Sequence, residues 1–129
     1  MSKAEFHPFD IRVYVEDTDM GGIVYHANYL RYFERARTEI IRQSGSSLIL
    51  LAAQDCHFVI NEATLRYLYP AHLDDLLTIT TMVHTKKTCS VLLEQVMHNQ
   101  DNKKLCEALI KVVCVDSAMK PRRLPNYLF

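Results

Sequence analysis

The chain has 129 residues, 49% of them hydrophobic, which is the size of one domain spanning residues 1–129 with a real core. Lys plus Arg is 15 and Asp plus Glu is 15, so no whole-protein field draws it to nucleic acid or to an anionic membrane. The longest strongly apolar run, Leu48 to Ala53, is far too short for a bilayer-spanning segment. The first ten residues, MSKAEFHPFD, carry no apolar signal core and no small-residue cleavage site, so a cytoplasmic protein is expected. Cys56, Cys89, Cys106 and Cys114 include no C-x-x-C pair and are expected as buried free thiols.

In chain order, Phe9 to Val15 alternates Phe9, Ile11, Val13 and Val15 with Asp10, Arg12 and Tyr14, the pattern of a half-buried strand. An acidic loop with Glu16, Asp17 and Asp19 follows, and Gly21-Gly22 allows the backbone to turn there. From about Tyr25 to Ser44, Tyr29, Phe33, Ala36 and Ile40 fall at helical spacing. Asn28 is a candidate cap for a late start, Val24 marks an early one, and Gly45 is a stop just past the end. On the charged face, Glu34–Arg37 and Arg35–Glu39 are spaced to pair. Leu48 to Ala53 is a brief helix or an ordered loop. Strands are then predicted over His57–Tyr69, Leu76–Lys86, Thr88–His98 and Leu105–Val115, with Asn99 to Asn102 as a hairpin loop. Short connections favour antiparallel neighbours, and only the sheet is large enough to cover the helix's apolar stripe. The expected fold is α+β, a five-stranded antiparallel sheet curled around one central helix.

The loop before the helix carries the chemistry. A carboxylate there faces unpaired backbone N–H groups and the positive end of the helix dipole. That arrangement suits attack on a carbonyl, with the carboxylate as base or nucleophile and the N–H groups holding the oxyanion. The ordinary alternative for Asp17 and Asp19 is turn and cap bonding. A calcium loop starting at Asp17 fails, because its fifth and twelfth positions are Gly21 and Asn28. An Asp-x-Asp phosphotransferase would need a strand–helix alternation that the chain lacks. The six histidines show no zinc-ligand spacing, so no metal site is expected.

The segments D-T-D-x-G-G-I-V-Y-H-A-N-Y, Y-F-E-R-A-R-T-E and C-V-D-x-x-x-K-P-R resemble the hotdog-fold acyl-CoA thioesterases. The resemblance is to the YbgC branch associated with the Tol–Pal system, related to 4-hydroxybenzoyl-CoA thioesterase, and it runs from about Ile11 to Pro125. It implies hydrolysis of an acyl-CoA to free acid and CoA without metal or redox cofactor. It makes Asp19 the catalytic carboxylate and His26 the position whose backbone N–H polarises the thioester carbonyl. Lys86, Lys87 and Ser90, then Lys120, Arg122 and Arg123, match regions that meet the CoA phosphates, with Arg122 taken as the tail contact. Glu34, Thr38 and Glu39 are fallback catalytic candidates, since other branches draw that residue from the helix. The resemblance also implies a homo-oligomer, a dimer or a tetramer of dimers, with each active site between two protomers. Two rivals stay open. One is a hotdog hydratase–dehydratase. The other is a binding module for acyl-carrier protein or Tol–Pal envelope-assembly partners.

Overall fold

The computed structural model describes residues 6–129; the sequence reading of residues 1–5 falls outside them. Strand β1 (Phe9–Arg12) leads through a 3-10 turn to helix α1 (Asn28–Gln43) and the short helix α2 (Leu48–Ala53). Strands β2 (His57–Tyr67), β3 (Leu76–Lys86), β4 (Ser90–His98) and β5 (Lys104–Val115) complete the chain. All pairings are antiparallel, in the sheet order β1-β3-β4-β5-β2. This is the hotdog arrangement, an α+β fold with one long helix against a five-stranded antiparallel sheet.

The apolar stripe of α1, which includes Tyr29, Tyr32, Phe33, Ala36 and Ile41, joins the inward rows of the sheet in one core. Along β3, Leu77, Ile79 and Thr81 point inward as their alternation requires, until a bulge between Val83 and Thr85 shifts the register. Along β4 the inward row is Val91, Leu93, Gln95 and Met97. Gln95 is fully buried, and both ends of its amide are occupied. Its Nε2 donates to the Phe33 carbonyl and to Thr81 Oγ1, both at 3.1 Å, while Arg37 Nη1 donates to its Oε1 at 3.0 Å. This polar cluster ties α1 to β3 and β4 inside an otherwise apolar layer.

Several expectations need correction. The first strand stops at Arg12, and Val15, expected inward, is 73% exposed because Val15–Asp17 winds into the 3-10 turn. Helix α1 starts at Asn28 rather than Tyr25, and Asn28 does not cap it. The N-cap residue is Ala27, already in helical dihedrals, and the Asn28 amide turns instead to Asp17. On the charged face, Glu39 pairs with Arg42 one turn on, and Arg37 turns inward to bond Gln95, while Glu34 acts on it through its charge alone. The helix does stop at Gly45, with φ of 93°. Gly45 N–H donates to the Arg42 carbonyl at 3.0 Å and Ser46 N–H to that of Ile41 at 3.4 Å, the Schellman pattern. Leu48–Ala53 is a helix because Ser47 Oγ accepts from Leu50 N–H at 3.1 Å. The strand expected over His57–Tyr69 ends at Tyr67, and β4 begins at Ser90 rather than Thr88. The cysteines are free; three are buried and Cys89 is half-buried.

Candidate active site

Residues 17–19 and 23–25 form the two arms of a small hairpin. Thr18 and Val24 face each other as an antiparallel bridge, Asp19 N–H donates to the Ile23 carbonyl at 2.9 Å, and Tyr25 N–H to that of Asp17 at 3.0 Å. Gly22 N–H closes the tip on the Asp19 carbonyl at 3.1 Å. The two glycines serve different ends. Gly22 takes a φ of 76°, which a side chain would strain. Gly21 leaves room for the carboxylate: a Cβ on it would sit 3.3 Å from Asp19 Oδ1, the oxygen that accepts its own N–H at 2.9 Å. Asp19 is exposed, and its Oδ2 has no hydrogen-bond partner among the described residues. The hairpin docks beside the start of β3, where Val24 N–H donates to the Ala71 carbonyl at 2.9 Å and Ile23 bridges His72.

Asp17 sits at the base of the hairpin and has a different job. Its Oδ2 accepts from Tyr14 N–H at 2.9 Å and its Oδ1 from Asn28 Nδ2 at 3.0 Å. It thereby fastens the loop to the first residue of α1. The Tyr32 hydroxyl lies beneath this pair, fully buried and without a well-formed hydrogen bond. Burial first, and then the neighbouring Asp17 carboxylate, holds its proton firmly in place.

Between hairpin and helix, Asn28 N–H donates to the Tyr25 carbonyl at 2.8 Å, and Tyr67 Oη donates to the His26 carbonyl at 2.9 Å. The N–H groups of His26 and Ala27 meet no acceptor among the described residues, and no side chain caps α1. The positive end of the helix is therefore open. The His26 ring is exposed and leans on Tyr25, with centroids 4.6 Å apart. Beside it lies a cavity of about 310 Å³ lined by Val24, His26, Tyr29, Tyr67, Tyr69 and Pro70.

The basic candidates divide. Lys86 Nζ donates to the Leu128 carbonyl at 3.0 Å, and Arg122 Nη1 to that of Gln54, at the end of α2, at 2.6 Å. Both side chains hold the fold together at these bonds. Lys120 and Arg123 are exposed. Lys87 and Ser90 share a cavity of about 210 Å³ with Thr85, Glu62 and Lys111. Sequence reading passed over Lys111, because its nearness to Lys87 arises only from strand register, Leu92 pairing with Lys111 across β4 and β5. It also passed over Tyr67, which lies far from the acidic loop in the chain. Of the helix candidates, Thr38 Oγ1 donates to Glu34 at 3.4 Å and Glu39 is paired with Arg42.

The structure does not bring the hairpin and the Lys87 cavity together within one chain. The hairpin docks beside the start of β3, and Lys87 follows its end. At roughly 3.3 Å per residue, the 11 residues of β3 separate them by about 35 Å. No group of three or more His, Cys, Asp or Glu residues able to hold a metal occurs among the described residues. Nor does any described helix have the length and apolarity to cross a membrane.

The family model of the thioesterase-like superfamily matches residues 13–127. The acyl-CoA thioester hydrolase YbgC of Escherichia coli O157:H7 is 47% identical over 117 residues, covering 90% of this chain and 87% of that protein. The acyl-CoA thioesterase YbgC of Haemophilus influenzae is 46% identical over 121 residues, covering 92% of this chain and 88% of its own. A crystal structure of a probable thioesterase from Bartonella henselae superposes with a TM-score of 0.88 at 38% identity, covering 93% of this chain and 99% of that one. With the hotdog sheet, the long helix and the acidic hairpin in place, this chain belongs to the thioesterase-like superfamily, in its YbgC branch of acyl-CoA thioesterases.

Proposed function

We propose that this chain is a thioester hydrolase that converts an acyl-CoA to a free carboxylic acid and CoA, with Asp19 as the catalytic carboxylate. One observation carries the residue assignment. An exposed carboxylate with a free oxygen stands at a hairpin tip whose other arm runs into two unpaired N–H groups at a helix start. A thioester carbonyl placed with its oxygen on the His26 and Ala27 N–H groups gains charge there as it becomes tetrahedral. As nucleophile, Asp19 would bond to the carbonyl carbon and the C–S bond would break, leaving a mixed anhydride and a CoA thiolate that takes a proton from water. Water then cleaves the anhydride and restores the carboxylate. As general base, Asp19 would take a proton from the attacking water and pass it to the departing thiolate. Single-turnover hydrolysis in heavy-oxygen water separates the two routes. Label recovered in Asp19 marks the anhydride, and label confined to the product acid, with no acyl-enzyme trapped by hydroxylamine, marks the general base.

The first test is thiol release across short, medium, long and aromatic acyl-CoA esters. Asp19→Asn is expected to reduce kcat by roughly 10²–10⁴-fold. His26→Ala keeps its backbone N–H and is expected to lose less; an equal loss would give the imidazole a direct part. If folded wild-type protein releases thiol from no ester, the hydrolase reading fails and a carrier-protein or assembly-binding role replaces it.

The working unit in this reading is at least a dimer. Strand β2 is a sheet edge of 11 residues, unpaired on its outer side among the described residues, and such edges invite pairing. Two-fold antiparallel pairing of β2 with a second copy sets the Tyr67 end of one chain beside the His57 end of the other. Ser90, with Lys87 beside it, lies toward that His57 end and Lys111 lies opposite Glu62 at mid-strand, so each Asp19 would face the basic cluster of its neighbour. CoA phosphates are suited to such a cluster.

A further inference from the structure

We infer that Tyr67 is a positioning residue for the oxyanion donors, orienting the peptide between His26 and Ala27 through its hydroxyl; this rests on the hydrolase reading above. The C=O and N–H of one peptide unit are coplanar and point in opposite directions, so holding the carbonyl aims the N–H. The His26 N–H shares a peptide with the Tyr25 carbonyl, which is held by Asn28 N–H at 2.8 Å. The Ala27 N–H shares a peptide with the His26 carbonyl, which is held by Tyr67 Oη at 2.9 Å. Both unpaired donors are thus secured from behind, one by local backbone and the other by a strand 41 residues away. A hydrogen bond to the carbonyl also polarises its peptide and strengthens the N–H on the other side.

Tyr67 is itself fixed. Its ring meets that of Tyr29 edge to face, with centroids 5.1 Å apart, and Tyr29 Oη accepts from Ala71 N–H at 3.0 Å. Burial raises the Tyr67 pKa above the ordinary phenol value, so the hydroxyl remains a donor at neutral pH. The bond also ties the end of β2, the edge proposed to pair between subunits, to the start of α1. Oxyanion geometry and the subunit edge are then joined at one hydroxyl.

The test is Tyr67→Phe, which keeps the ring and deletes the bond. With the fastest-hydrolysed member of a panel running from acetyl- to palmitoyl- and benzoyl-CoA, kcat is expected to fall about tenfold, short of the 10²–10³-fold typical of a lost oxyanion donor. KM is expected to stay within about twofold. In the Asp19→Asn background, where that ester persists on the protein, the infrared stretch of the bound thioester carbonyl is expected to move toward its solution position once Tyr67→Phe is added. An unchanged kcat, or a loss carried by KM, overturns the inference and leaves the hydrolase reading intact. Wild-type protein that releases thiol from no ester overturns both. If Tyr67→Phe lowers thermal stability, the carbonyl band in the folded double variant decides, and an unshifted band overturns the inference.

Discussion

Two aspartates two positions apart do opposite work. Asp17 spends both oxygens on the fold, accepting from Tyr14 N–H and Asn28 Nδ2, while Asp19 keeps one oxygen free toward solvent. Asp17→Ala should therefore cost about 1–3 kcal/mol by chemical denaturation, because the amide of buried Asn28 and the Tyr14 N–H lose their acceptor. It should also slow turnover, since the hairpin comes loose from α1. Asp19→Asn should leave the denaturation midpoint nearly unchanged while activity collapses. The opposite pattern, with Asp19 carrying stability and Asp17 carrying rate alone, would reverse the assignment. Gly22, at a φ of 76°, offers a third case: Gly22→Ala should cost about 1–2 kcal/mol through left-handed strain alone, as nothing lies within 4 Å of an added Cβ.

At the scale of elements, α1 is held to the sheet by apolar packing and by the buried Gln95 cluster. Burial makes the Arg37 guanidinium less basic, yet it remains charged at neutral pH and relies on Gln95 Oε1 as an acceptor. Gln95→Leu should destabilise by roughly 1–3 kcal/mol, mostly by leaving the buried Arg37 Nη1 and Thr81 Oγ1 without their Gln95 partner, since the Phe33 carbonyl keeps its own helical bond. Adding Arg37→Met should recover part of that loss, so the double-mutant cycle should be clearly non-additive. Additive costs would mean that the two side chains do not depend on each other. The same layer predicts an alkaline limit. Burial pushes the Cys106 thiol up to about 12, and burial with the Cys56 thiol 3.2 Å away does the same for Cys114. The unfolded chain releases these protons first, near the ordinary value of 9.0. Between those values the folded state binds more protons, so stability falls as pH rises. Urea midpoints at about pH 8 and about pH 10 should show the decline, and Cys106→Ala with Cys114→Ala should lessen it.

For the whole molecule, the separation of hairpin and basic cluster along β3 is the deciding fact. In a homodimer paired through β2, one chain would supply Asp19 and the other Lys87 and Lys111. Asp19→Asn protein mixed with Lys87→Ala/Lys111→Ala protein, after subunit exchange, should regain activity that neither has alone on a CoA ester. One site in each mixed dimer would hold both intact halves. No gain on mixing, with exchange confirmed by mass, would place carboxylate and phosphate contacts in one chain. Retained full activity in a monomer by light scattering would also contradict the shared site.

Much of this architecture follows from local rules that act over a few residues. Alternation along β3 and β4, helical spacing from Tyr29 to Ile40, the stop at Gly45 and the turn from Asp19 to Gly22 each need only their neighbours, so all were legible in the chain. The family motif made Asp19 and His26 the candidates that the proposed mechanism uses. What tertiary structure decided is where long-range partners end up. Arg37 reads as a surface charge until Gln95 arrives from β4, and Asn28 reads as a cap until the hairpin presents Asp17. Lys86 and Arg122 read as free cations until the Leu128 and Gln54 carbonyls reach them. Tyr67 and Lys111 carry no signal of their own, because their meaning lies in contacts set by strand register and by the docking of β2 against the start of α1. Hydrogen-bond direction and strand register depend on chain segments tens of residues apart, and no local pattern encodes them.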